Sequence, residues 1–126
     1  MSIAMPPRDQ IRASFGNAPD GSLRLLHLDD SGGILLEAAI AEGADGADEL
    51  LARYVATLIR DVDPPGAAVV VTRRCGRPSS SDRLLWDMIA ARLPGLNVDF
   101  VVAGADRCWS AQTDDRRSPA RKSARP

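Results

Sequence analysis

The sequence predicts an α/β fold: a small single-domain sandwich of order β-β-α-β-α-β, with a mixed sheet of four to five strands. Three observations predict it. Short apolar runs are each bounded by turn residues, as strands are. Two longer segments carry apolar side chains at helical spacing. Each of those segments lies between two strand-like runs, and each connection is long enough to cross over between parallel neighbours in the usual right-handed sense.

The elements follow in order. Residues 1–20 hold three prolines and little periodicity, and read as a loosely held arm. "SLRLLHL", Ser22–Leu28, partly alternates and reads as a strand. "DDSGG" has strong turn chemistry and leads to "ILLEAAI", Ile34–Ile40, so the pair is predicted as a β-hairpin with a five-residue loop. Asp48 is placed to cap a helix over Glu49 to about Arg60, whose apolar positions are Leu51, Tyr54, Val55 and Leu58, with Val62 just beyond. "DPPG" ends it. "AAVVVT", Ala67–Thr72, is continuously apolar and suits a strand buried on both faces. Leu84, Leu85, Met88, Ile89 and Leu93 form the stripe of a second helix, stopped by Pro94-Gly95. "LNVDFVVA", Leu96–Ala103, is the fourth strand, and "DRCWSAQ" extends it or pairs back.

The totals bound the class. A chain of 126 residues is expected to form one domain, over residues 21–112, with residues 113–126 a disordered basic tail. Only five aromatics are present, so Leu, Val, Ile and Ala must fill the core. No apolar run approaches the roughly 18 residues of a membrane span, and the first ten residues have neither the basic nor the apolar region of a secretory signal. Two cysteines, Cys75 and Cys108, are too few for a disulfide framework, and a cytoplasmic location with free thiols is expected. The net charge of −1 hides an asymmetry: residues 114–126 carry five basic and two acidic side chains, so the remaining 113 residues carry −4. Nucleic acid is therefore expected as a partner only through the tail at 116–125.

The loop "TRRCGRPSSSD", Thr72–Asp82, carries the chemistry. A cysteine between a strand and a helix start, with Arg73, Arg74 and Arg77 nearby, stands where a thiolate is favoured. The same arginines, beside the unpaired N–H groups of a helix start, suit a small anion such as phosphate or carboxylate. Pro78-Ser79-Ser80-Ser81-Asp82 is also an ordinary way to open a helix, with a serine cap and an acidic residue in the first turn. His27, the only histidine, sits on a strand and reads as a surface or core residue; no Ser–His–Asp arrangement can be built around it. Trp86 and Trp109 read as core residues in a chain poor in aromatics.

Two resemblances rest on these residues. The layout strand–"CGRPS"–helix–strand resembles the core of the thioredoxin and glutaredoxin fold, which implies thiol chemistry at Cys75; that family's second Cys or Ser falls here on Pro78. Over most of residues 22–111 the chain is similar to the JAB/JAMM domain, in particular its RadC-like branch. Glu37 takes the place of the hairpin glutamate, Pro78-Ser79-Ser80-Ser81-Asp82 that of the Pro-Ser-x-x-Asp helix start, and Trp109-Ser110 that of the terminal aromatic–Ser pair. By position, the two histidines of that family's His-x-His become Arg73 and Cys75. Zinc needs about three N, O or S ligands plus an open water position, and arginine supplies none. This resemblance implies a metal-free copy with no peptidase activity.

The function expected from the sequence is a non-enzymatic binding or interaction module, without metal or cofactor. Its binding residues are Glu37, Arg73, Cys75, Arg77, Ser79 and Asp82, near the C-terminal end of strand 67–72. The expected partner is an unidentified protein or a small anion, not a membrane; an exposed sheet edge also offers homodimer pairing. The alternatives are a redox protein with Cys75 as its catalytic thiol and an anion- or nucleic-acid-associated protein.

Overall fold

The computed structural model describes residue 11, residue 15 and residues 18–42 and 48–112. The tail expected over 113–126 and most of the arm expected over 1–20 lie outside the described residues. The elements are β1 (Leu23–Leu28), β2 (Ile34–Ala41), α1 (Glu49–Val62), β3 (Gly66–Thr72), α2 (Ser80–Ala91), β4 (Val98–Ala103) and β5 (Cys108–Ser110). The "DRCWSAQ" segment therefore pairs back as a fifth strand.

The five strands form one mixed sheet in the order β2-β1-β3-β4-β5. Only β3 and β4 pair in parallel; the other neighbours are antiparallel. The α2 crossover thus joins neighbours as expected, whereas the α1 crossover does not, because β1 lies between β2 and β3. Composition accounts for that order. β1 is buried from end to end except at Arg24, while β2 carries Glu37 and three alanines and remains at the edge. The β1–β2 turn is the predicted five-residue loop. In it the Asp29 carboxylate accepts from the Ser31 and Gly33 N–H groups and from the Ser31 hydroxyl. The Ser31 hydroxyl is the chief cause that holds the Asp29 carboxyl below its ordinary value. Pairing of β1 with β2 skips Leu35 and Ile40, so β2 is bulged near each end.

Alternation divides the core into two layers. Leu23 and Leu25 of β1, Ala67, Val69 and Val71 of β3, and Phe100 and Val102 of β4 face both helices. Leu26, Leu28, Ala68, Val70, Val101 and Ala103 face the other way, where Ile11 and Phe15 are buried against them. β3 is buried along its whole length, as its unbroken apolar run predicts. The Thr72 hydroxyl donates to the Phe15 carbonyl at 3.0 Å, which ties the residue-15 region to the end of β3.

The first helix turns a different stripe inward from the one its large residues predict, whereas the second buries the predicted Leu85, Ile89 and Leu93. In α1 the buried positions are Ala52, Val55, Ala56 and Ile59, while Tyr54 and Val62 are exposed and Leu51 and Leu58 are partly covered. In α2 they are Asp82, Leu85, Trp86 and Ile89, and Leu84 is exposed. Alanines let the α1 backbone approach the sheet closely, so the stripe is set by fit and not by side-chain size. Asp48 caps α1 by accepting from Leu50 and Leu51, and Asp63, in the left-handed region with φ 52°, closes it.

Candidate binding cleft

Because β3 and β4 run parallel, with Thr72 opposite Ala103, their C-terminal ends lie side by side. The loops that leave those ends meet beyond the sheet, which is where open α/β sheets place their ligands. The Arg73 N–H donates to the Ala103 carbonyl at 3.2 Å and extends the pairing by one step. The Gly76 N–H then donates to the Arg73 carbonyl, and the Gly104 N–H to the Arg107 carbonyl, each at 2.8 Å. The two turns touch at Gly76 and Gly104, both buried. Gly76 has φ +72° and passes so close to the Arg107 side chain that a β-carbon would not fit.

Around this contact is an open cleft of about 750 Å³ lined by Gly76, Arg77, Pro78, Arg83, Asp106, Arg107, Cys108 and Trp109. Three of those side chains are cationic and one is anionic. Arg83 lies over the Trp109 ring, 5.0 Å from its centroid, and Trp109 stacks on Trp86, which stacks on Phe100. The stack runs from the core to the cleft wall and orients the Arg83 guanidinium.

Arg73 is committed elsewhere. Its guanidinium grips the Asp82 carboxylate with two hydrogen bonds, of 3.0 Å from Nε and 2.6 Å from an Nη, and both side chains are nearly buried. Asp82 also accepts from the Ser79 N–H at 2.9 Å, while the Ser79 Oγ accepts from the Asp82 N–H at 3.0 Å: a capping box with aspartate in the acidic position. Burial raises the Asp82 pKa, but the Arg73 hydrogen bonds, the Ser79 N–H and the Arg73 charge outweigh it, so the carboxyl is held below its ordinary value. Asp20 accepts from the Arg74 N–H at 2.8 Å and lies 3.7 Å from the Arg73 guanidinium, pinning the start of the loop.

On the far side, buried Asp99 fixes β5. It accepts from the Ser110 hydroxyl at 2.6 Å and from the Gln112 N–H at 3.0 Å. Trp109 and Cys108 are therefore carried to the cleft by a strand anchored from beneath.

Of the residues singled out in the sequence, Arg73, Ser79 and Asp82 are brought together, as a cap and ion pair, and Arg77 lines the cleft. Glu37 is elsewhere: it lies on β2, two strands from β3, and pairs with Arg24 at 3.5 Å. Cys75 is exposed, four residues before the Ser79 cap, with its thiol donating to the Arg77 carbonyl at 3.5 Å. His27 is buried under α1, its Nε2 3.3 Å from the Leu58 carbonyl. The zinc that the JAB/JAMM resemblance calls up does not fit these residues. The positions that would hold it are a cation locked to Asp82, an outward thiol and a glutamate at the sheet edge. Among the described residues no group of three or more His, Cys, Asp or Glu could hold a metal ion.

No family model matches the chain, and no curated protein matches it at a significant level. No helix among the described residues is long and apolar enough to cross a membrane.

Sequence reasoning missed Arg83, Arg107 and the Gly76–Gly104 contact. The one signal for them was a lone glycine soon after each of two strand-like runs, a mark of close backbone approach.

Proposed function

We propose that the chain is a non-enzymatic binding module, a divergent JAB-like domain whose ligand sits in the cleft between the β3–α2 loop and the β4–β5 turn. The observation that carries this reading is the Arg73–Asp82 pair. Both side chains spend their hydrogen-bonding capacity on each other and on the helix cap, so neither is available to hold a metal or to move a proton. What remains for a ligand is the cleft beside the pair, lined by Gly76 and bounded by a wall that the aromatic stack supports.

Metal analysis of protein purified without chelator tests the reading. Zinc far below one equivalent is expected, before and after incubation with zinc and desalting. About one tightly held zinc per chain, the loading of a structural or catalytic site, would overturn it, above all if Asp82→Asn or Cys75→Ser released the metal.

A further inference from the structure

The cleft has a definite electrostatic character, and we infer that it is a site for a phosphate group, on a small molecule or as the free ion; this rests on the binding-module reading above. Arg77 comes from the β3–α2 loop and Arg107 from the β4–β5 turn, and the packed glycines hold the two loops together. Among the described residues, no carboxylate pairs with Arg77 or Arg107, in contrast to Arg24, Arg73 and Arg92. Arg83, laid over Trp109, adds a third positive group from α2. Among the described lining residues Asp106 is the one acidic side chain beside three arginines, on a chain whose first 113 residues total −4. A concentrated positive cleft in an otherwise acidic domain attracts and orients a compact anion.

Phosphate fits better than a carboxylate. Arg77 and Arg107, from two separate loops, meet a tetrahedral dianion from two sides, each offering a planar fork of donors, where a flat carboxylate engages one fork. A single-stranded nucleic acid is not favoured, since its bases need an aromatic platform, and the one aromatic ring among the described lining residues, Trp109, is engaged by Trp86 and Arg83. At the start of α2 beside the cleft, the Ser79 and Asp82 amides are already taken by the capping box.

The experiment is titration of the full chain with inorganic phosphate and with glycerol phosphate at low salt, followed by calorimetry and by amide shifts in nuclear magnetic resonance. Saturable shifts at Gly76, Arg77, Asp106 and Arg107 are expected, weakening as salt is added. The double variant Arg77→Gln/Arg107→Gln should bind at least about tenfold more weakly, the scale of one lost charge-assisted contact. Asp106→Asn should bind more tightly, and Arg92→Gln, on the far end of α2, should bind as the parent does. All four positions are exposed or half-exposed, and circular dichroism confirms that each variant is folded. Comparable or tighter binding of the monoester assigns the site to a phosphorylated small molecule, and binding of phosphate alone assigns it to the free ion. Absence of saturable shifts at the cleft, or unchanged affinity in the double variant, overturns the inference. Neither result bears on the zinc measurement, which alone tests the binding-module reading.

Discussion

Gly76 and Gly104 are packed backbone against backbone: a β-carbon added at Gly104 would stand 2.6 Å from the Gly76 Cα, 2.9 Å from its nitrogen and 3.1 Å from the Arg73 carbonyl oxygen. All three neighbours are main chain, so no side chain can swing aside to relieve the overlap. Gly104→Ala should therefore cost about 2–3 kcal/mol, at the upper end of overpacking penalties, read as a lowered midpoint in thermal or urea denaturation. It should also part the two loops and weaken phosphate binding, although residue 104 touches no ligand.

The Arg73–Asp82 pair makes a different prediction. Removing one partner leaves the other charge nearly buried without compensation, so Asp82→Asn and Arg73→Met should each destabilise by about 3 kcal/mol. The double variant should lose less than the sum of the two, and a double-mutant cycle measures the difference.

Acid should expose the same pair. The Asp82 carboxyl titrates below its ordinary 3.8 in the folded chain, so the unfolded chain takes up this proton first as the pH falls. The stability it contributes is whole above about pH 4 and is lost as the pH drops through the lowered value. Urea midpoints measured from pH 6 downwards should fall more steeply for the parent than for Asp82→Asn. If the two curves run parallel, the ion pair contributes nothing to acid sensitivity.

His27 is predicted to act by volume and not by chemistry. Its ring is buried, one nitrogen faces the Leu58 carbonyl, and Nδ1 has no partner among the described residues. His27→Ala should cost about 2–4 kcal/mol through the cavity it leaves, and His27→Leu should recover most of that. A leucine variant as unstable as the alanine one would show that the imidazole hydrogen bond matters more than the space it fills.

How much of this was legible in the sequence depends on the distance over which each feature is decided. The strands at 67–72 and 96–103 and the five-residue hairpin loop follow from local patterns, because turn residues and apolar runs act on their immediate neighbours. The Ser79–Asp82 cap was legible for the same reason. The helix faces were read wrongly at Tyr54, Val62 and Leu84, since the buried stripe is chosen by contact with the sheet, and small residues such as Ala52 and Ala56 fit there best. Glu37 was expected at the site because it takes the place of the hairpin glutamate in the JAB/JAMM resemblance, but nothing local says which hairpin strand will lie at the sheet edge. Arg83 and Arg107 become neighbours only through the parallel register of β3 and β4 and the contact of two glycines 28 positions apart, neither of which a single sequence displays.

The two bulges of β2 have a consequence for how the protein behaves in a crowded solution. Ile34, Leu35 and Leu36 are exposed on a bare strand that has neither lysine nor proline to discourage a visitor. Such an edge ordinarily recruits further chains. Here an incoming extended segment would find only Leu36–Ala39 in straight register, since the strand bends at Leu35 and at Ile40. Four residues offer an incoming strand only a short ladder, so the bulges weaken this edge as a template. An insoluble fibre would have to begin by straightening β2 first.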